Sequence, residues 1–176
     1  TIQDVDFTPF RNVHLLTAGL PCQPWSTAGK RLGSADERSL WDEALRAISE
    51  AQPTQVLLEM VDGFLSPLFK ATRERVMDGI HALGYHVELH LANAQDYKVP
   101  QSRRRCLILA HRGAGRMVLP GKSPPVTVRQ ALDSLGEPNG SNRHIEHGKA
   151  KSYANHTPSS LDKPSKTIIA GVNGPG

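Results

Sequence analysis

His14-Leu15-Leu16-Thr17-Ala18-Gly19-Leu20-Pro21-Cys22-Gln23-Pro24-Trp25-Ser26 passes from an apolar run straight into a proline-flanked loop, and this junction decides how the chain is read. Residues 13–18 have the character of a buried strand, and strand ends are where α/β sheets place their chemistry. Two prolines hold the backbone around Cys22 in a narrow range and remove donors, so the thiol is fixed in position and reachable. Cys22 is therefore the nucleophile candidate, against the alternative of a buried, inert cysteine. Gly19, Gln23 and Ser26 beside it favour an exposed turn.

Outward from this point, a Gly/Ser/Lys-rich loop over residues 29–35 leads to a helix with Asp36 as its cap. Leu40, Trp41, Ala44, Leu45 and Ile48 recur at helical spacing, and Gln52-Pro53 ends the run. Gln55-Val56-Leu57-Leu58-Glu59 is a second apolar strand, and residues 68–83 form a second helix with Leu68, Phe69, Val76, Ile80 and Leu83 on one face and Gly84 as its stop. Tyr85, Val87, Leu89 and Leu91 alternate with His86, Glu88 and His90, as in a half-buried strand near a sheet edge. A fourth strand, residues 106–110, follows a Val99-Pro100 turn. The order β-α-β-α-β-β predicts an α/β fold with a largely parallel sheet whose last two strands form a hairpin.

Beyond residue 113 the texture changes to Pro, Gly, Ser and Asn, with only residues 128–135 helical in pattern. The reading is two regions, 1–112 and 113–176, the second a linker and a loop-rich lobe. Thr167-Ile168-Ile169-Ala170 is expected to be a strand with no partner after it, and no Gly-rich nucleotide turn precedes Val13, so the chain resembles the middle of something larger.

The 176 residues suffice for one domain with a core and an appendage. A mean hydropathy of -0.39 describes a soluble protein with no apolar stretch of bilayer length, so no membrane partner is expected. Two cysteines and no signal peptide suit a reducing cytosol. The net charge of +4 suits a polyanion, yet a solvated basic face would give the same value. His81, His86, His90 and His111 do not cluster with Cys at ligand spacing, so no metal is expected.

Three separated groups line up in order: Cys22 after the first strand, Glu59 ending the second, and Gln101-Ser102-Arg103-Arg104-Arg105 entering the last. A carboxylate that ends an apolar strand is costly to bury unless protonated or paired. A plain salt bridge of Glu59 with Arg105 would also account for both residues.

Taken together these segments resemble the DNA (cytosine-5-)-methyltransferase family. Residues 19–29, Gly-Leu-Pro-Cys-Gln-Pro-Trp-Ser-Thr-Ala-Gly, are similar to its catalytic-loop motif, and Asp36-Glu37-Arg38-Ser39-Leu40 to the segment after it. Leu58-Glu59-Met60-Val61 is similar to its Glu-Asn-Val motif, and residues 93–105 to its Gln-x-Arg-x-Arg motif with lead-in. The resemblance implies part of a Rossmann-like, S-adenosylmethionine-dependent sheet with its first strands missing, followed by a hinge and the beginning of a target recognition region. It implies catalytic roles for Cys22, Glu59 and Arg105, a cofactor border at Pro21 and Leu40, DNA or flipped-base contacts at Gln23, Ser26 and Arg38, and support from Arg103. It also implies double-stranded DNA as partner, base flipping, and a bacterial cytoplasmic restriction-modification setting acting on nucleoid DNA.

Two departures stand out. The family's aromatic-x-Gly-x-Gly cofactor turn and its acidic cofactor ligands are absent, so the S-adenosylmethionine half-site is expected to be missing and the chain inactive alone, with missing segments or a second chain supplying the rest. Met60 replaces the family's Asn, which removes a polar anchor and is expected to loosen Glu59. Other readings are a tRNA cytosine-5 methyltransferase of the same family, or a non-catalytic nucleic-acid-binding piece that completes a partner chain.

Overall fold

The computed structural model describes residues 1–21, 40–136 and 160–167, which form two units. The first unit comprises Thr1–Ala92 and Arg104–Leu119, and it holds a four-stranded sheet. Its strands are β1 (Leu15–Gly19), β2 (Gln55–Val61), β3 (His86–Asn93) and, after the short β4 (Gln101–Ser102) of the second unit, β5 (Arg104–His111). The sheet order is β1-β2-β5-β3.

Helix α1 covers Trp41–Ala51 and buries Trp41, Ala44, Ala47, Ile48 and Ala51, a spacing that keeps one face against the sheet. Asp42 and Glu43 in its first turn suit the positive end of the helix dipole. Its end is set by Gln52, which takes a left-handed conformation (φ 44) and donates its N–H to Ile48 O at 2.9 Å. Leu40 occupies the N-cap position, and Asp36, the cap expected from sequence, lies outside the described residues.

The second helix starts later than the apolar spacing suggests. A 3-10 turn, Pro67–Phe69, precedes α2 (Lys70–Ala82); it turns Leu68 outward to 63 % exposure and buries Phe69 instead. Leu83, expected on the inner face, is exposed at the C-cap, and Gly84 follows in a left-handed conformation (φ 87) that a glycine adopts without strain.

Val56, Leu58 and Met60 of β2 face Cys106, Ile108 and Ala110 of β5 in register, and all are buried with Trp41, Ile48, Val76 and Ile80 from the helices. Full burial of each large apolar side chain contributes about 1.5–3 kcal/mol. Trp41 stacks on Phe64 with ring centroids 5.1 Å apart.

The last two long strands, β3 and β5, are neighbours as expected of a terminal pair, but the sheet is not largely parallel. β1 and β2 are parallel, but β5 runs antiparallel to β2 and lies between β2 and β3. The reason is burial. Leu109 as well as Ile108 and Ala110 is covered, so β5 is apolar on both faces and takes an inner position, whereas β3, with His86, Glu88 and His90 in alternation, is placed at the end. β1 also lies at a sheet end, so it is not wholly buried as expected: Leu16 and Ala18 pack on the core while Leu15 stays exposed.

In the second unit (Asn93–Arg103 and 120 onward), a 3-10 turn Ala94–Tyr97 ends at Lys98 in a left-handed conformation and leads into β4. Helix α3 (Val128–Leu132) is started by a capping box, with Gln130 N donating to Thr127 Oγ1 at 3.1 Å and Thr127 N donating to Gln130 Oε1 at 2.9 Å. Arg129 of α3 pairs with Asp162 at 2.6 Å. A short strand, β6 (Ser165–Lys166), pairs parallel with β4; it lies just before the strand expected over 167–170, of which Thr167 is not in a strand and residues 168–170 lie outside the described residues.

Candidate active site

Strand alternation sends Val56, Leu58 and Met60 into the core, so Glu59 projects from the opposite face of β2. Register does the rest. β1 places Gly19 beside Glu59, and β5 sets Arg105 opposite Val61, two residues along the same face. Arg105 Nε stands 2.5 Å from Glu59 Oε1, with the two side chains 20 % and 40 % exposed. That buried Nε makes no aligned hydrogen bond, so the contact is an ion pair, and Arg105 Nη1 donates instead to Arg104 O at 2.7 Å.

The chain leaving β1 is tied to the same place, because Leu20 N donates to Glu59 O at 3.2 Å. Leu20 and the half-buried Pro21 therefore carry the backbone toward position 22 from beside the carboxylate. Cys22, Gln23, Ser26 and Arg38 lie outside the described residues. Leu40 is half-buried at the start of α1, where its carbonyl accepts from Ala44 N. Arg103 belongs to the second unit; its N–H donates to Asn93 Oδ1 at 2.9 Å and its carbonyl accepts from Ala94 N at 3.0 Å. Of the residues named from sequence, the structure thus brings Glu59 and Arg105 together, next to the segment that enters the cysteine loop.

Met60 is fully buried in the core on the face of β2 opposite Glu59, which is paired with Arg105. The turn that follows β2, Asp62–Leu65, is secured by Arg73, whose Nη1 donates to Phe64 O and Ser66 O at 2.7 Å each, a role with no signal in the sequence. Arg104 adds a 3.4 Å contact to Asp62.

The other cysteine is disposed of by burial. Cys106 is free and inaccessible, and desolvation pushes its thiol up to about 11, with Arg73 opposing and Glu59 reinforcing the shift. Among the described residues no group of His, Cys, Asp and Glu is arranged to hold a metal ion, and no helix is long and apolar enough to cross a membrane. The carboxylates next to Leu40 are committed elsewhere, Asp42 to Arg75 at 2.7 Å and Glu43 to Arg46 at 2.7 Å. Leu40 and Pro21 are both half-buried and apolar, so they are suited to line a cofactor rather than to hydrogen-bond it.

Comparison with known proteins bears on the family. A family model described as C-5 cytosine-specific DNA methylase matches residues 1–167. The chain is 36 % identical over 150 residues to the Type II methyltransferase M.NgoMIV of Neisseria gonorrhoeae, covering 82 % of this chain and 48 % of that protein. It is 44 % identical over 114 residues to M.Eco47II of Escherichia coli, covering 63 % of this chain and 27 % of the relative. Among solved structures, a candidate DNA modification methyltransferase from an E. coli prophage superposes with a TM-score of 0.54 at 26 % identity, covering 71 % of this chain and 35 % of its own. A Spodoptera frugiperda DNMT2 variant shares the fold (TM-score 0.56, 22 % identity, covering 80 % and 45 %). The chain spans about a quarter to a half of the length of these curated relatives. With residues 1–167 of its 176 matched by the methylase model, the chain belongs to the C-5 cytosine-specific DNA methylase family.

Proposed function

We propose that this chain carries the base-activating side of a DNA (cytosine-5-)-methyltransferase. The observation that carries the reading is the Glu59–Arg105 pair beside the backbone that leads to Cys22. Cytosine is electron-poor at carbon 6, while its carbon 5 is a weak nucleophile. Addition of the Cys22 thiolate to carbon 6 would make the adjoining carbon enamine-like and able to take a methyl group from a sulfonium, whose S–CH3 bond breaks and whose sulfur leaves as a neutral thioether. Glu59 holds N3 and the exocyclic amine and stabilises the protonated ring, and Arg105 donates to O2. Loss of the proton from carbon 5, with departure of Cys22 from carbon 6, restores the aromatic ring. S-adenosylmethionine supplies the methyl group in this reading, and the residues of this chain hold and activate the base.

The target base is stacked in duplex DNA and must be flipped out, at a cost of a few kcal/mol. Gln23, Ser26 and Arg38 are assigned to its contacts, and Arg103 to support. Residues 1–112 form part of the catalytic domain in this scheme, and 113–176 the hinge and the start of target recognition. The names of the relatives, Type II methyltransferases, support a bacterial restriction-modification setting in the cytoplasm with nucleoid DNA as substrate.

The test is methyl transfer from labelled S-adenosylmethionine by the product of the complete reading frame, offered duplex DNA and tRNA. Label is expected in 5-methylcytosine of DNA, and Glu59→Gln should slow transfer by about a hundredfold or more. Label confined to tRNA would move the substrate to RNA, and absence of transfer to either would refute the proposal.

A further inference from the structure

We infer that Gly19 is a positioning residue whose missing side chain keeps the Oε2 side of Glu59 open to the incoming pyrimidine. The inference rests on the reading of Glu59 as the group that holds the base. Parallel pairing sets Gly19 against Glu59, and a Cβ built on Gly19 would stand 3.6 Å from Oε2, with no other described heavy atom beyond its own chain neighbours within 4 Å. Oε1 faces Arg105 Nε at 2.5 Å in an ion pair, and among the described residues no hydrogen bond reaches Oε2. Oε2 is therefore the oxygen turned away from Arg105, and the space beside it is the space above Gly19.

Among the described residues neither backbone nor packing explains a glycine here. The glycines with positive φ among the described residues are Gly84, Gly113 and Gly136, so the strand conformation of Gly19 is open to other residues. A contact of 3.6 Å is ordinary van der Waals distance, so alanine would fit without displacing its neighbour. Glycine weakens a strand, and its use within one commonly marks a place where a ligand approaches closely. A flat base that meets a carboxylate edge-on needs that clearance, and a branched side chain at position 19 would occupy it.

The experiment uses Gly19→Ala, Gly19→Val and Glu59→Gln in the product of the complete reading frame. Three readouts are taken: melting temperature, affinity for duplex DNA, and the rate of covalent adduct formation on saturating 5-fluorocytosine duplex with S-adenosylmethionine. Gly19→Val is expected to melt at the same temperature or higher and to bind duplex within about twofold of the parent. Its adduct should form roughly tenfold more slowly, with Gly19→Ala between the two. An adduct rate in Gly19→Val equal to that of the parent, with Glu59→Gln slow, overturns the inference and leaves the reading of Glu59 intact. Slowing in step with a fall in melting temperature in both Gly19 variants also overturns it, since that is the mark of a packing role. A parent rate in Glu59→Gln, or no adduct in the parent, overturns the reading of Glu59 and this inference with it.

Discussion

Glu59 and Arg105 illustrate how two side chains that cost stability separately become useful together. Each projects from an otherwise apolar strand, and register alone brings Nε to within 2.5 Å of the carboxylate. Arg105 also spends Nη1 on Arg104 O, so its guanidinium bridges its own strand and β2. Lysine has one point charge and cannot reproduce both contacts. Arg105→Lys is accordingly expected to slow single-turnover methylation about tenfold or more while leaving the melting temperature nearly unchanged, because a pair this exposed contributes little to folding. A matching fall in stability would identify Arg105 as structural. Both residues were legible from the sequence, as a carboxylate closing an apolar run and an arginine opening another. Gly19 was legible as part of a motif but not as a neighbour of Glu59, since strand register is a property of pairing that no local pattern contains.

Among the elements, α1 and β2 follow directly from periodicity because their apolar residues meet one partner face each. The position of β5 does not, since a short apolar run looks the same at the centre or the end of a sheet until its pairing is known. Terminal strand β3 makes up for its polar face with a charge cluster. Glu88 receives Arg116 at 2.7 Å, His90 at 3.0 Å and His86 at 3.2 Å. The hydrogen bond from Arg116 chiefly, then those from His90 and His86, hold its carboxyl at about 2 against the burial that opposes them. A depressed folded-state value means that the stabilisation is complete above the ordinary carboxylate value of 4.5 and is lost as pH falls toward about 2. Glu88→Gln should therefore lower the melting temperature at neutral pH, and thermal melts should show the difference closing between those two values. A difference that persists at the acid end would assign Glu88 a role other than its charge.

At the scale of the molecule, the sequence announced a change of texture near residue 113, while contacts divide the described chain into a sheet-bearing unit and a second unit to which residues 93–103 contribute. That contribution was hidden because β4 is only two residues long and pairs with residues sixty-four positions later, a link that composition does not reveal. The central claim is that one of the two cysteines in the molecule is built to add to a base. Cys106 is sealed in the core with its thiol raised to about 11, and Cys22 follows the strand that is tied to Glu59. The most direct measurement traps the product of the complete reading frame on 5-fluorocytosine duplex with S-adenosylmethionine, digests the adduct and maps the modified peptide by mass spectrometry. The account predicts the nucleotide on the peptide that contains Cys22 and no adduct in Cys22→Ser. A nucleotide on Cys106, or an adduct that survives Cys22→Ser, would contradict it.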